Sequence, residues 1–376
     1  MNNYILKPDK IAKEFEDDPS SVRGIAARLT YCGRNTGNLV YYKGIESVLS
    51  QDIPVADWFD VPKDADNLIL PAANQLGRHT NLGAIAKLWE GLDKNVVTLG
   101  LGVQCRTIQD LIITDGTRKW LDFLVKKAAG KKSFLGVRGK TTEKVINDIY
   151  GYEAARVCGC PSQFISTPEF ILSNIKNRLD KPLLSLSVNS AEPGLRMFDK
   201  YTTALINEII KYDGSYMLQA PEHSLVRILR KSVDEDLSEG KLDFDPKDLH
   251  NIDCSNFFRN KATAFFNMGE WQDMLHRYDY NIGFRIHGTM FSLACGVPSF
   301  LINVDERTRE FAETMMLPYT EDYKISDIVG YAKERMINHD YEGMLKKWKS
   351  NAQMFRQLME TNEIELSKQF LTFWCN

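Results

Sequence analysis

The sequence has no hydrophobic run approaching the ~18 apolar residues of a membrane-spanning helix. It has no surplus of positive charge: 47 Lys and Arg stand against 50 Asp and Glu, a formal net charge of −3. That balance excludes general nucleic-acid binding, which needs surplus cations to displace counterions, but leaves room for a basic pocket taking a small anion. Cysteines are few, scattered and odd in number, seven in all. Reduced core thiols of a cytoplasmic protein are the expected state. The one close pair, Cys158-Gly159-Cys160, is not a Cys-x-x-Cys and has no second pair to match it, so a buried strand end is expected there and no metal site. His223, His250, His276 and His339 have no partner at metal-ligand spacing. No Gly-Lys-Ser/Thr follows the glycine turn of YCGRNTGNL at 31–39, so that turn is not a Walker A loop. Gly100-Leu101-Gly102 lacks a third glycine, which argues against a nicotinamide cofactor, and the absence of Gly-x-Ser-x-Gly removes a serine-hydrolase elbow. The opening MNNYILKPDKIAKEFEDD is charged and lacks the apolar core of a signal peptide.

What is present is an ordinary globular composition of 376 residues, 43% hydrophobic and 26% charged, enough for two domains or one large one. Short apolar runs alternate with helical stretches, the pattern of α/β folding on parallel sheets. In the first half, strands are predicted at 25–31, 67–71, 96–101, 133–137 and 155–158, with helices at 38–50, 82–93, within 107–129 and at 140–149. In the second half, strands are predicted at 183–188, 215–219, 263–266, 280–285 and 299–304. Helices there are predicted at 199–212, 222–237, 269–278, 288–295, 306–316 and 325–338. Pro161, Pro168 and Pro182 mark 159–182 as a linker. The expected organisation is therefore 1–165, 183–340 and a long helical stretch 341–376 that packs back on the first domain. Two α/β domains place a cleft at the carboxyl ends of their strands, where helix N-termini favour anions.

The sharpest local signal is YNIGFRIHGTMFSLACGVPSFLINV at 280–304. A strand ending in Arg285 and His287 would send both side chains to one side in extended geometry. Gly288 would then allow a tight turn, and Thr289 would cap the next helix. An arginine offers a planar charged fork for carboxylate or phosphate, and a histidine two residues away an acid or base near neutral pH. The alternative from the residues alone is an Arg285 paired with an acid and a satisfied core imidazole. In SFLGVRGKTT, at 133–142, Arg138 would be a second cation at a strand end. Read alone, that segment favours a surface arginine beside Lys131, Lys132 and Lys140, while Thr141 and Glu143 suit helix capping. In YCGRNTGNL, Gly33 and Gly37 bracket a strand-to-helix turn with Asn35 and Asn38 available to a ligand. Asn74, Gln75 and His79 follow one strand, and Gln219 and Glu222 another; all are cleft candidates or ordinary loop polarity. The aromatic segment 257–271 reads as core before it reads as a sugar platform.

Together these segments resemble the polysaccharide pyruvyl transferase family. The pieces are CGRNTGN, LILPAANQL, LGLGVQ, FLGVRGKTTEKVINDIYG, VCGCPSQF and FRIHGTMFSLACGVPSFLINVDERTREF, in the family's order over roughly residues 24–315. The resemblance implies a GT-B-like fold: two Rossmann-like domains with parallel sheets facing an interdomain cleft. It implies phosphoenolpyruvate as donor, a sugar with two suitably placed hydroxyls as acceptor, free or lipid-linked, and a cyclic pyruvate ketal with phosphate released. No cofactor is implied. Arg285, Arg138, Gly288 and Thr289 fall to donor binding and His287 to acid catalysis; Asn35, Asn38, Asn74, His79, Gln219 and Glu222 would line the acceptor side, with Glu222 or His79 as base. The chain departs from the family at Gly139, often acidic there, at Gly136, often Ser, and at Asn38, often Asp. The expected setting is cytoplasmic, with the aromatic-basic edge Phe257–Lys261 able to touch a membrane surface. Two other readings stay open: a GT-B glycosyltransferase using a nucleotide sugar, and a non-catalytic glycan-binding homologue.

Overall fold

The structure, a computed structural model, describes residues 2–7, 32, 35–50, 53–189, 199–219 and 260–376. The strand expected at 25–31 and the helix expected at 222–237 lie outside them, as do Gly33, Glu222, His223, His250 and Cys254. The first half contributes β1 (Asn3–Lys7), α1 (Gly37–Val48), β2 (Val55–Asp57), β3 (Asn67–Pro71), α2 (Gly83–Leu88), β4 (Asn95–Leu99), α3 (Asp115–Gly130), β5 (Leu135–Val137), α4 (Lys140–Tyr150) and β6 (Ala155–Val157). After α5 (Pro168–Leu179), the second half runs through β7 (Leu186–Asn189), α6 (Asp199–Lys211), β8 (Ser215–Met217), β9 (Ala262–Thr263), α7 (Met268–Leu275), β10 (Tyr280–Gly283), α8 (Ile286–Ala294), β11 (Ser299–Ile302), α9 (Glu306–Met315), β12 (Tyr319–Thr320) and α10 (Ile328–Ile337). Helices α11 (Tyr341–Thr361) and α12 (Lys368–Trp374) close the chain.

Among the described residues, every pairing between strands is parallel. The first sheet has the order β2-β1-β3-β4, and a parallel bridge between Leu101 and Val137 carries it on to the β5-β6 pair. The second has the order β12-β11-β10-β7-β8-β9, so its order reverses direction between β7 and β10. In doubly wound sheets the crevice beyond the carboxyl ends at such a reversal is where ligands bind. The α/β fold with parallel sheets expected from the sequence is thus present in both halves.

Burial on both faces explains why these strands read as continuous apolar runs. In the first sheet Leu68, Leu70 and Val96 face a core with Trp89 and Trp120. Their neighbours Ile69 and Val97 face the opposite core, shared with α8, α9, α11 and α12. Strand alternation sends successive side chains to different layers. The second sheet buries Val188, Tyr280, Ile282 and Phe300 against α6 and α10. Phe265 stacks on the buried Trp271 at 6.1 Å and Phe266 packs on the core of the second sheet, so the described aromatic rings of the segment are turned to the core.

Three expectations change. The stretch 159–182 is not irregular as its prolines suggest: it holds a short 3-10 helix, Pro161–Phe164, and the helix α5. Pro168 sits at the first helical position after the capping Thr167, where a missing N–H costs nothing, so it starts a helix instead of interrupting one. The C-terminal stretch is broken at Asn362–Glu363, where Glu363 takes φ 56°, and Ser367 caps a new helix. Strands β1, β2 and β12 are too short or too polar to show an apolar run.

Helix α11 is tied in by polar contacts as well as by packing. Trp348 Nε1 donates to the Met315 carbonyl at 2.8 Å, and Asn351 donates to Gln163 Oε1 at 3.0 Å. At the amino ends of the first sheet Asn67 donates to Asn3, Asn95 to Asn67, and Asn95 also to Asn362 beyond α11. Among the described residues no helix is long and apolar enough to cross a membrane. Trp348→Ala removes a fully buried indole and its hydrogen bond, so urea unfolding is expected to show a loss of about 3–5 kcal/mol.

Candidate active site

Arg138 follows β5 directly and is only 3% exposed. The surface arginine favoured by its lysine neighbours is therefore corrected: the lysines are on the outside, and the strand turns Arg138 inward. Its Nε donates to the Gly100 carbonyl at 3.0 Å, and its backbone N–H donates to Leu101. Its Nη2 is buried with no hydrogen-bond partner among the described residues. A buried guanidinium with a spare donor is costly unless an anion meets it.

The second signal is folded differently from the extended strand expected. Strand β10 stops at Gly283, Arg285 is the N-cap of α8, and His287 lies in that helix's first turn. Gly288 is therefore helical and makes no turn. Thr289 is also helical, and its hydroxyl donates back to the Arg285 carbonyl at 3.1 Å instead of capping the helix. Two residues apart on a helix differ by about 200° in direction, unlike the same-side placement of a strand. What the block does deliver is Arg285 and His287 at the amino end of α8, at the reversal point between β7 and β10.

His287 is half-buried among residues from both halves. Its Nε2 lies 3.7 Å from Cys160 Sγ, and its ring is 5.9 Å from Tyr41 and 6.4 Å from Phe311. Tyr41 donates its hydroxyl to the Leu99 carbonyl at 2.7 Å, and Ser162 donates to Cys160 Sγ at 3.1 Å. Burial, then Arg138, then Arg307, push the imidazole down to about 3. Burial pushes the Cys160 thiol up, with Arg138 opposing. At neutral pH the pair is a thiol beside a neutral imidazole, not a thiolate–imidazolium nucleophile.

Arg307, in the first turn of α9, was not singled out in the sequence. It pairs with Asp305 at 3.4 Å and stands close enough to Arg138, His287 and His79 to depress the proton affinity of all three. The signal was available: it follows β11 as Arg138 follows β5 and Arg285 follows β10. Tyr41 and Glu310 were also missed, because each reads as a routine position on an amphipathic helix.

Of the remaining expected residues, Gln219 and Asn35 meet His287 around Gly37, where a Cβ would stand 2.6 Å from Gln219 Oε1, 3.1 Å from Asn35 Oδ1 and 3.3 Å from His287 Cβ. Gln219 is buried just past β8, where its carbonyl accepts from Thr36 N–H at 3.0 Å, so it adjoins the start of α1. Asn35 accepts from Gly37 N–H at 2.9 Å, and Asn38 donates to the Cys32 carbonyl at 2.9 Å; both side chains close their own turn. His79 is exposed on the loop after β3, its proton affinity lowered by partial burial and Arg307 and supported by the Asn74 backbone. Among the described residues no group of three His, Cys, Asp or Glu is placed to hold a metal ion.

The depressed imidazole has a consequence for stability. The unfolded chain protonates His287 near 6.5 and the folded one only near 3, so stability is lost as pH falls between those values. His287→Asn is expected to flatten part of that loss, measured as unfolding midpoints from pH 7 to 4 against the unaltered protein.

The model of the polysaccharide pyruvyl transferase family matches residues 5–306, most of the chain and all but the C-terminal side of the site. No curated protein matches. Among solved structures the chain is similar to UDP-N-acetylglucosamine 2-epimerase from Rickettsia bellii, with 11% identity over 94% of this chain and 81% of that one, and a TM-score of 0.45. It is also similar to the wall teichoic acid polymerase TagF, with 12% identity over 100% of this chain and 84% of that one, and a TM-score of 0.36. An α,α-trehalose-phosphate synthase (UDP-forming) from Burkholderia vietnamiensis shares 8% identity over 91% of this chain and 77% of that one, with a TM-score of 0.36. The family match spans the strand-end segments that carry Arg138, Arg285 and His287, and the chain belongs to the polysaccharide pyruvyl transferase family.

Proposed function

We propose that the protein transfers the pyruvyl group of phosphoenolpyruvate to two hydroxyls of a glycan sugar, forming a cyclic ketal and releasing phosphate. The observation that carries this reading is the electrostatic influence of Arg138 and Arg307 on His287, with one terminal nitrogen of Arg138 left without a partner among the described residues. Phosphoenolpyruvate carries a carboxylate and a phosphate, and bidentate pairing with arginine suits both. Arg285, at the N-cap two residues before His287, supplies a further cation, and the amino end of α8 adds partial positive charge.

Protonation of carbon 3 gives an oxocarbenium-like centre at carbon 2. One sugar hydroxyl adds there, phosphate leaves, and the second hydroxyl closes the ketal. Of the two hydroxyl protons displaced, one balances the new methyl hydrogen and the other leaves with phosphate. Fixed arginines stabilise the departing phosphate, the kind of preorganised charge that contributes most to catalysis. His287 is assigned the proton to carbon 3, but it starts neutral. The donor's negative charges offset Arg138 and Arg307, so the imidazole gains its proton as the donor binds. His79, also kept neutral, is assigned as an acceptor of hydroxyl protons.

Thermal unfolding with phosphoenolpyruvate, and separately with UDP, GDP and CMP, tests the donor, because a ligand that binds only the folded state raises the midpoint. The expected result is a shift with phosphoenolpyruvate alone, abolished in Arg285→Ala. A shift with a nucleotide and none with phosphoenolpyruvate would overturn the reading in favour of a nucleotide-sugar transferase. Calorimetry in buffers of different ionisation enthalpy is expected to show proton uptake approaching one per donor at neutral pH, and donor affinity falling as pH rises. His287→Ala should remove the uptake and lower turnover more than donor affinity.

A further inference from the structure

Helix α4 begins immediately after Arg138, and it cannot cap itself. Its N-cap is Gly139, which has no side chain to offer, and neither Thr141 nor Glu143 serves in its place. The cap comes from the other half of the chain. Glu310 of α9 is 2% exposed; its Oε1 accepts from Thr142 N–H at 2.6 Å and its Oε2 from the Thr142 hydroxyl at 2.9 Å. A Cβ at residue 139 would stand 2.2 Å from Glu310 Cγ, so glycine is required there for the carboxylate to enter. The space an acidic side chain would need at 139 is filled by the side chain of residue 310.

The contact continues past the helix. The Thr142 hydroxyl that donates to Glu310 also accepts from Val103 N–H at 3.0 Å. Residues 100–103 form the wall against which Arg138 lies. Gly100 and Leu101 accept from its Nε and its backbone N–H, and a Cβ at Gly102 would meet its Cδ at 2.6 Å. Glu310 therefore fixes Thr142, Thr142 fixes Val103, and the loop closes on the guanidinium. The carboxylate charge itself influences Arg138 less than burial, Cys160, Tyr41 or Arg307 do. Position, not neutralisation, is its larger contribution.

We infer that Glu310 is a positioning residue for the donor site: by capping α4 across the two halves it sets Arg138 in place, so that the anion site exists only while α9 is docked on α4. The inference rests on the donor reading above for its affinity readout, and on the geometry of Thr142, Val103 and Arg138 for a second readout that does not.

The test compares Glu310→Ala, Glu310→Gln and Thr141→Val. Thr141 donates to Glu306 at 3.0 Å across the same contact and does not touch the loop around Arg138, so Thr141→Val controls for a merely weakened interface. Glutamine keeps an acceptor for Thr142 N–H and an amide for the hydroxyl. Glu310→Ala is expected to raise the dissociation constant for phosphoenolpyruvate roughly tenfold, about 1.4 kcal/mol, with Glu310→Gln and Thr141→Val near the unaltered protein. Amide hydrogen exchange of the unliganded protein should show faster exchange at Val103 and Thr142 in Glu310→Ala only, whatever the donor proves to be. Unchanged exchange at those two amides, equal loss in Thr141→Val, or failure of Glu310→Gln to restore them would overturn the inference. Faster exchange in a protein that ignores phosphoenolpyruvate would uphold the positioning role and remove the donor reading instead.

Discussion

The structure depends on one buried charge. A guanidinium taken out of water loses hydration worth several kcal/mol and regains it only through hydrogen bonds and opposing charge. Arg138 regains part of it from the Gly100 carbonyl and keeps one nitrogen unmatched among the described residues. The surroundings do little to neutralise it: Arg307 adds like charge, His287 is forced neutral and Cys160 stays a thiol. Its position is held by the rest of the fold, through residues 100–103 and the start of α4.

Holding it requires both halves of the chain. Tyr41, Arg138 and Cys160 come from the first, and Arg285, His287 and Arg307 from the second. Contacts such as Thr141 with Glu306 and Thr142 with Glu310 fasten α4 to α9 beside the site. Preorganisation of this kind is what lets fixed dipoles and charges act without rearranging at the moment of reaction.

Much of the fold is legible in the sequence, and the reasons are local. Strands buried on both faces, such as Leu68 to Leu70, carry an unmistakable apolar run, and the Arg285–His287 block stands out because charge follows directly on such a run. The strand-end rule that found Arg138 and Arg285 would have found Arg307 as well. Glu310 was beyond reach, because its partner Thr142 lies 168 residues away and the pairing has no local pattern. The placement of Arg138 failed for a related reason: Lys131, Lys132 and Lys140 mark the segment as surface, and only the burial of β5 and of Arg138 after it shows otherwise. Pro168 misled because a proline that begins a helix and one that ends it look alike without the preceding cap.

The shared core has a bearing on how the chain is made. Ile5, Ile69, Val97 and Leu99 on one face of the first sheet share a core with Leu345, Trp348, Phe355 and Leu358, which are synthesised long after the sheet itself. Until those residues leave the ribosome the sheet has one clothed face and one bare one, with the Asn3–Asn67–Asn95 ladder still waiting for Asn362. A nascent chain in that condition exposes apolar surface until α11 and α12 emerge, which makes their docking the step that shields this face of the sheet from aggregation.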